Sequence, residues 1–243
     1  GAELEPLDLA GHFNDRVTQI FKNEYRAPRS TFASLALPKQ GIGGWAGGVN
    51  ASALIDDSGL RALAERAGGR FVLPNGAWFE TPSEATAKNV VFTSQWDNYP
   101  REVTLLLKGN ARGLFLLMAG STNHMQSRFD NGEVVATYAD GTTARLALEN
   151  PTTWWPIERD YFFDDFQFRV DATTRLPTRV DLKTGEVRVL ELATFKGRGG
   201  RVPGGAATVL ELALDPEKEL QSLTVRALAN EVVIGLMAAT VMR

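Results

Sequence analysis

From Asn89 onward the chain is a succession of short apolar runs cut by Gly, Asn, Asp and Pro, and this punctuation constrains the fold more than any other feature. The runs are NVVFTS at Asn89–Ser94, EVTLLL at Glu102–Leu107, GLFLLMAG at Gly113–Gly120, GEVVATY at Gly132–Tyr138 and TARLALE at Thr143–Glu149. Each is too short for an independent helix and stops at turn residues, the spacing of antiparallel strands. The pattern resumes after Asp164 as FQFRVD, RVDLKTGEVRVLELATF, ATVLELAL, LQSLTVRAL and EVVIGLMAATVM. Within it LKTGE reads as a tight hairpin, with Gly185 supplying the positive φ. Leu220–Leu228 and Val232–Val241 read as two core strands closing the sheet. Strands that do not alternate with helices argue against a parallel sheet. The lack of a fixed period argues against a propeller or solenoid. The fold read from the sequence is therefore mainly β, an antiparallel β-sandwich of the jelly-roll type with one or two short helices.

The first 82 residues follow a different pattern. LDLAGHFNDRVTQIF mixes helical and alternating spacing and leaves both readings open. DDSGLRALAERAG predicts a short helix, with Ser58 as its cap and Gly68 as its stop. The expectation is one sandwich domain over residues 1–243, with 1–82 an irregular Gly/Pro-rich region packed on it.

Composition excludes several function classes. A net charge of -3, with both signs interspersed, provides no basic stripe for phosphates, so nucleic acid is not expected as a partner. Without cysteine there is no disulfide framework, Cys-based zinc site or thiol nucleophile. No run approaches the roughly 18 to 20 apolar residues of a membrane-spanning helix. The chain opens on Gly1 with a polar GAELEP and no initiating Met, which predicts a secretion signal removed ahead of it. Secreted, periplasmic or cell-surface localisation is the corresponding expectation.

Chemistry concentrates in two inter-strand stretches, Trp96-Asp97-Asn98-Tyr99 and Trp154-Trp155-Pro156-Ile157-Glu158. Loops on a rigid β scaffold carry binding residues, and aromatic rings beside carboxylates and amides suit a sugar's apolar face and polar rim. The expected ligand-binding set is Trp96, Asp97, Asn98, Tyr99, Trp154, Trp155, Glu158 and Tyr161. Consecutive tryptophans in extended chain face opposite sides, so one of Trp154 and Trp155 is expected in the core and the other as a platform. For Trp96 and Tyr99, exposure on a turn stands against Asp97 and Asn98 simply bonding the turn backbone.

Glycoside hydrolysis needs two carboxyls roughly 5 to 9 Å apart. Glu158 and Asp160, two apart on a strand, would share a face about 7 Å apart, with Asp97 as another candidate. Surface acid pairs meet the same spacing, so no residue is assigned as catalytic. Asp56-Asp57 and Asp164-Asp165 suit calcium by chemistry but lack an EF-hand spacing, and Asp56-Asp57-Ser58 serves equally as a helix start. No cofactor or metal is expected. His12 and His124 are the only histidines and have no metal-ligand spacing. The Gly-rich GRGGRVPGG at Gly197–Gly205 lacks the Lys-Ser/Thr of a phosphate loop and reads as an edge loop.

Several long strings support a resemblance. They are FNDRVTQIFKNEYRAPR (Phe13–Arg29), QGIGGW (Gln40–Trp45), IDDSGLR (Ile55–Arg61), FTSQWDNYP (Phe92–Pro100), LLMAGSTN (Leu116–Asn123), NPTTWWPIERDY (Asn150–Tyr161) and the terminal NEVVIGLMAATVMR. On these the chain resembles the bacterial domain-of-unknown-function 4450 family, found in or beside glycoside hydrolases of polysaccharide-degrading bacteria. The resemblance implies a galactose-binding-like jelly roll in which the hairpin Tyr138–Thr142 links two sandwich strands. It implies a module that binds carbohydrate or packs against a glycoside hydrolase catalytic domain, and it carries over no catalytic residue. Three readings follow: a secreted glycan-associated module, a small glycoside hydrolase using the carboxylate pair, and a purely structural scaffold.

Overall fold

The computed structural model describes residues 3–23, 25, 53–122, 128–161, 169–195, 199–230 and 232–243. In chain order the strands are β1 (Leu4–Pro6), β2 (Arg70–Val72), β3 (Trp78–Glu80), β4 (Val91–Ser94), β5 (Glu102–Leu106), β6 (Gly113–Gly120), β7 (Phe129–Tyr138) and β8 (Thr143–Asn150). They continue as β9 (Arg159–Asp160), β10 (Thr178–Asp181), β11 (Val187–Arg188), β12 (Gly200–Arg201), β13 (Ala206–Ala213), β14 (Leu220–Ala227) and β15 (Val233–Met242). Two α-helices, α1 (Ser58–Arg66) and α2 (Leu192–Phe195), accompany them.

The sandwich consists of β4 to β8 and β13 to β15. One sheet has β4, β15, β6 and β13 as neighbours; the other has β5, β14, β7 and β8. Counted along the chain, these are strands 1-8-3-6 and 2-7-4-5. The antiparallel pairs β4·β15, β5·β14, β6·β13 and β7·β8 are one long hairpin folded over itself, the jelly-roll topology. The two terminal strands read as closing one sheet in fact lie in different sheets.

Burial explains the sequence pattern. In β6, Leu114, Leu116 and Met118 face the space between the sheets. Phe115, Leu117 and Ala119 face outward into a second apolar layer with Val17, Ile20, Phe21, Leu60, Phe71 and Phe79. A strand covered on both faces reads as an unbroken apolar run, as GLFLLMAG and VIGLMAATVM do. The other sheet has a wet outer face, where Glu102, Arg226, Glu133, Arg145 and Asp130 alternate in charge across its four strands and bond one another.

Local features follow expectation with one correction. The hairpin of β10 and β11 turns at Gly185 with φ 76°, and the hairpin of β7 and β8 turns at Gly141 with φ 85°. Gly68, at φ 65°, follows α1. Ser58 is not the cap of α1 but its first residue: Asp57 holds the N-cap position without a side-chain cap bond, and the Ser58 N–H donates to Asp56 Oδ1 at 2.9 Å. The ambiguous LDLAGHFNDRVTQIF segment follows β1 and holds a 3-10 turn at Val17–Gln19.

Between β8 and β13 the hairpin strands β10 and β11 widen the first sheet beyond β13. This insertion carries the Trp154–Tyr161 cluster at its start, and it frames the site described next.

Candidate functional site

The Trp96–Tyr99 loop is turned the opposite way from the expectation of exposed rings. Trp96 and Tyr99 are 3% and 5% exposed, while Asp97 and Asn98 face solvent. Apolar burial outweighs the turn's tendency to expose, because the outer face of the first sheet offers both rings a partner layer. Tyr99 lies 5.0 Å from the Phe92 ring and 6.3 Å from that of Tyr25. Its hydroxyl donates to Asp15 Oδ2 at 2.5 Å and accepts from Asn23 Nδ2 at 2.5 Å. Burial, with Tyr25 and the Asp15 carboxylate beside it, pushes the phenol's pKa well up. The loop binds its own N-terminal segment, and its rings present no platform.

The second cluster is also interior. Trp154 and Trp155 face different cores, as consecutive residues of extended chain do, but both are 1% exposed, so neither is a surface platform. Trp154 Nε1 donates to the Ser121 carbonyl at 3.0 Å, and Trp155 Nε1 to the Pro151 carbonyl at 2.7 Å. Around Trp155 stand Tyr161 at 5.7 Å, edge-on, Phe195 at 5.6 Å and the Arg179 guanidinium at 5.5 Å. Burial pushes the Tyr161 phenol up.

The carboxylate pair lies inside the protein. Glu158 is 2% exposed and Asp160 8%. Asp160 Oδ1 accepts from Arg179 Nε and Arg188 Nη2, each at 3.2 Å, and its Oδ2 accepts from Arg188 Nη1 at 2.6 Å. Both Asp160 oxygens thus accept from guanidinium groups, and the carboxylate is engaged inside the protein rather than presented at an open surface. Arg179 also donates to Thr208 Oγ1 and to the Pro156 and Arg159 carbonyls, and Arg188 reaches Asp181. Full burial lowers the Arg179 pKa, against the opposing charge of Asp160. A buried charge this fully paired is costly to break. The network bolts β9, β10 and β11 together.

The other sequence candidates are dispersed. Asp57 is spent on Arg61 and Asn89, at 3.0 and 2.8 Å, and Asp56 on the start of α1. Asp164, Asp165, His124 and the first residues of the Gly197–Gly205 loop lie outside the described residues. Among the described residues, no group of three acidic or histidine side chains is arranged to hold a metal.

The open polar surface lies next to that network. Arg179 stands opposite Arg188 in the β10–β11 hairpin. Two residues further, this register sets Pro177 opposite Leu190, and because proline has no N–H to donate the ladder stops there. Beyond it both segments line a groove of about 970 Å³, formed by residues 172–178 and 189–193 together with Leu73, Pro74, Asn75, Val209 and Glu211. Among the described residues, the peptide groups of Arg175, Leu176, Val189 and Leu190 make no hydrogen bond. Arg175, Glu191 and Glu211 are exposed and form no ion pair among those residues. Leu176, Leu190 and Leu192 pack back onto Trp155 and Tyr161. The aromatic cluster thus stands one layer behind the groove and supports it. Sequence reasoning missed the groove residues because they come from separate segments without a shared motif; the one signal was Pro177 beside the hairpin.

No protein-family model matches the chain, and a search of curated proteins likewise finds no match.

Proposed function

We propose that this chain is a secreted, non-catalytic, carbohydrate-associated module that serves beside a glycoside hydrolase, in line with its resemblance to the domain-of-unknown-function 4450 family. One observation carries the reading. Both carboxylates of the candidate pair, Glu158 and Asp160, are buried, and Asp160 is ion-paired to two arginines, while open donors and acceptors line a groove at the surface. The jelly-roll scaffold supports it, since such sandwiches present ligands on loops and strand edges. Glycan-array binding, run beside a reducing-sugar assay on the bound glycans, tests the reading. Binding without sugar release is expected. Release that disappears in a folded Glu158→Gln variant would instead make the chain a small glycoside hydrolase. A structural scaffold is the second reading, favoured by the burial of Trp96, Trp154 and Trp155, and it forecasts silence on the array.

A further inference from the structure

We infer that the groove beside Pro177 is the glycan-binding site, and that its ligand is an uncharged oligosaccharide of several units held by hydrogen bonds rather than by stacking. The inference rests on the carbohydrate-associated reading above and assigns it a place and a ligand class.

The size points to more than one sugar. A groove of about 970 Å³ stands at the upper end of the roughly 300 to 1,000 Å³ typical of small-molecule sites.

The lining selects the chemistry. Glu191 and Glu211 are acceptor-only carboxylates, Arg175 is donor-only, and the peptide groups of Arg175, Leu176, Val189 and Leu190 add further donors and acceptors. A sugar hydroxyl both donates and accepts, so it suits every one of these groups. A polyanion such as a uronan would meet two unpaired carboxylates. A polycation would meet the Arg175 guanidinium. A neutral glycan meets no like charge.

The apolar part of the lining is aliphatic: Leu176, Leu190 and Val209 can lie against ring C–H groups, and no aromatic ring lines the groove among the described residues. The site therefore differs from the aromatic platform expected of the Trp96 and Trp155 loops.

The groove is anchored at one end and from behind. The ion-paired hairpin holds one end of both walls, and Trp155 and Tyr161 back the leucines.

The test begins with an array containing neutral, anionic and cationic oligosaccharides. Calorimetric titration of the strongest neutral binder follows, against the parent chain, Arg175→Ala, Glu211→Ala and Arg145→Ala. Arg145 lies on the outer face of the other sheet and serves as the control. All three side chains are exposed, and circular dichroism verifies the fold of each variant. We expect a neutral oligosaccharide to lead the array. Each groove variant should weaken its binding about ten- to hundred-fold, the equivalent of one charge-assisted hydrogen bond, while Arg145→Ala binds like the parent. A neutral glycan bound equally by both groove variants would overturn the assignment of the groove and leave the carbohydrate reading standing. Preference for a charged oligosaccharide would overturn the ligand class. An array silent for every glycan would overturn both.

Discussion

Trp154 fills the space between the sheets and Trp155 the cluster behind the groove, so two neighbours in sequence complete two separate interiors. Truncating either leaves a cavity that rigid strands cannot collapse into. Trp155→Ala is expected to cost about 3 to 5 kcal/mol, read by denaturant unfolding. A loss below about 1 kcal/mol would mean that the ring is not packed as described. Glu133 gives a second test at this scale. Burial opposes its charge, but its bonds to Arg145 and Arg226 prevail and hold its carboxyl below the ordinary value of 4.5. A depressed folded-state pKa contributes stability that is present above the unfolded value and is lost as pH falls through the folded one. Unfolding followed between pH 6 and 3 should therefore show a shallower loss below about pH 4.5 in Glu133→Gln than in the parent. Equal slopes would show that the charge row adds nothing. At residue scale the sequence revealed identity more readily than direction: it marked the aromatics as important, but a ring turned in and a ring turned out have the same letters when both sides of the strand can be covered.

At the scale of elements, α1 is locked to the β10–β11 turn by two glycines. A Cβ on Gly59 would stand 2.3 Å from the Lys183 carbonyl oxygen, and one on Gly185 2.3 Å from Leu63 Cδ1. Gly185 also needs its positive φ. Alanine within a helix ordinarily gains about 0.5 to 1 kcal/mol over glycine. Here the clash is with backbone, so Gly59→Ala should lower the melting temperature despite its better helix propensity. A rise would show that helix and hairpin are not in contact. The strands, the two glycine turns and the short helix were legible because each depends on local pattern. The close approach of α1 to the hairpin was not, since it joins residues more than a hundred positions apart that share no periodicity.

For the whole molecule, the jelly roll follows from the order of the strands, and the both-sided burial of β6 and β15 follows from their unbroken apolar runs. The groove was hidden from the sequence because it arises where a ladder ends: Pro177 stops the pairing, the insertion after β8 brings Arg175 and Glu191 alongside, and the sheet supplies Glu211. The buried network around Asp160 holds that insertion to the sandwich. The most direct measurement is a ¹⁵N–¹H correlation spectrum of the chain titrated with the neutral oligosaccharide that leads the array. The account expects the amide shifts to concentrate at residues 173–176 and 189–193, with the Asp97–Asn98 turn and the outer face of the β5–β8 sheet unmoved. Shifts centred on Asp97 and Asn98, with the groove silent, would contradict it.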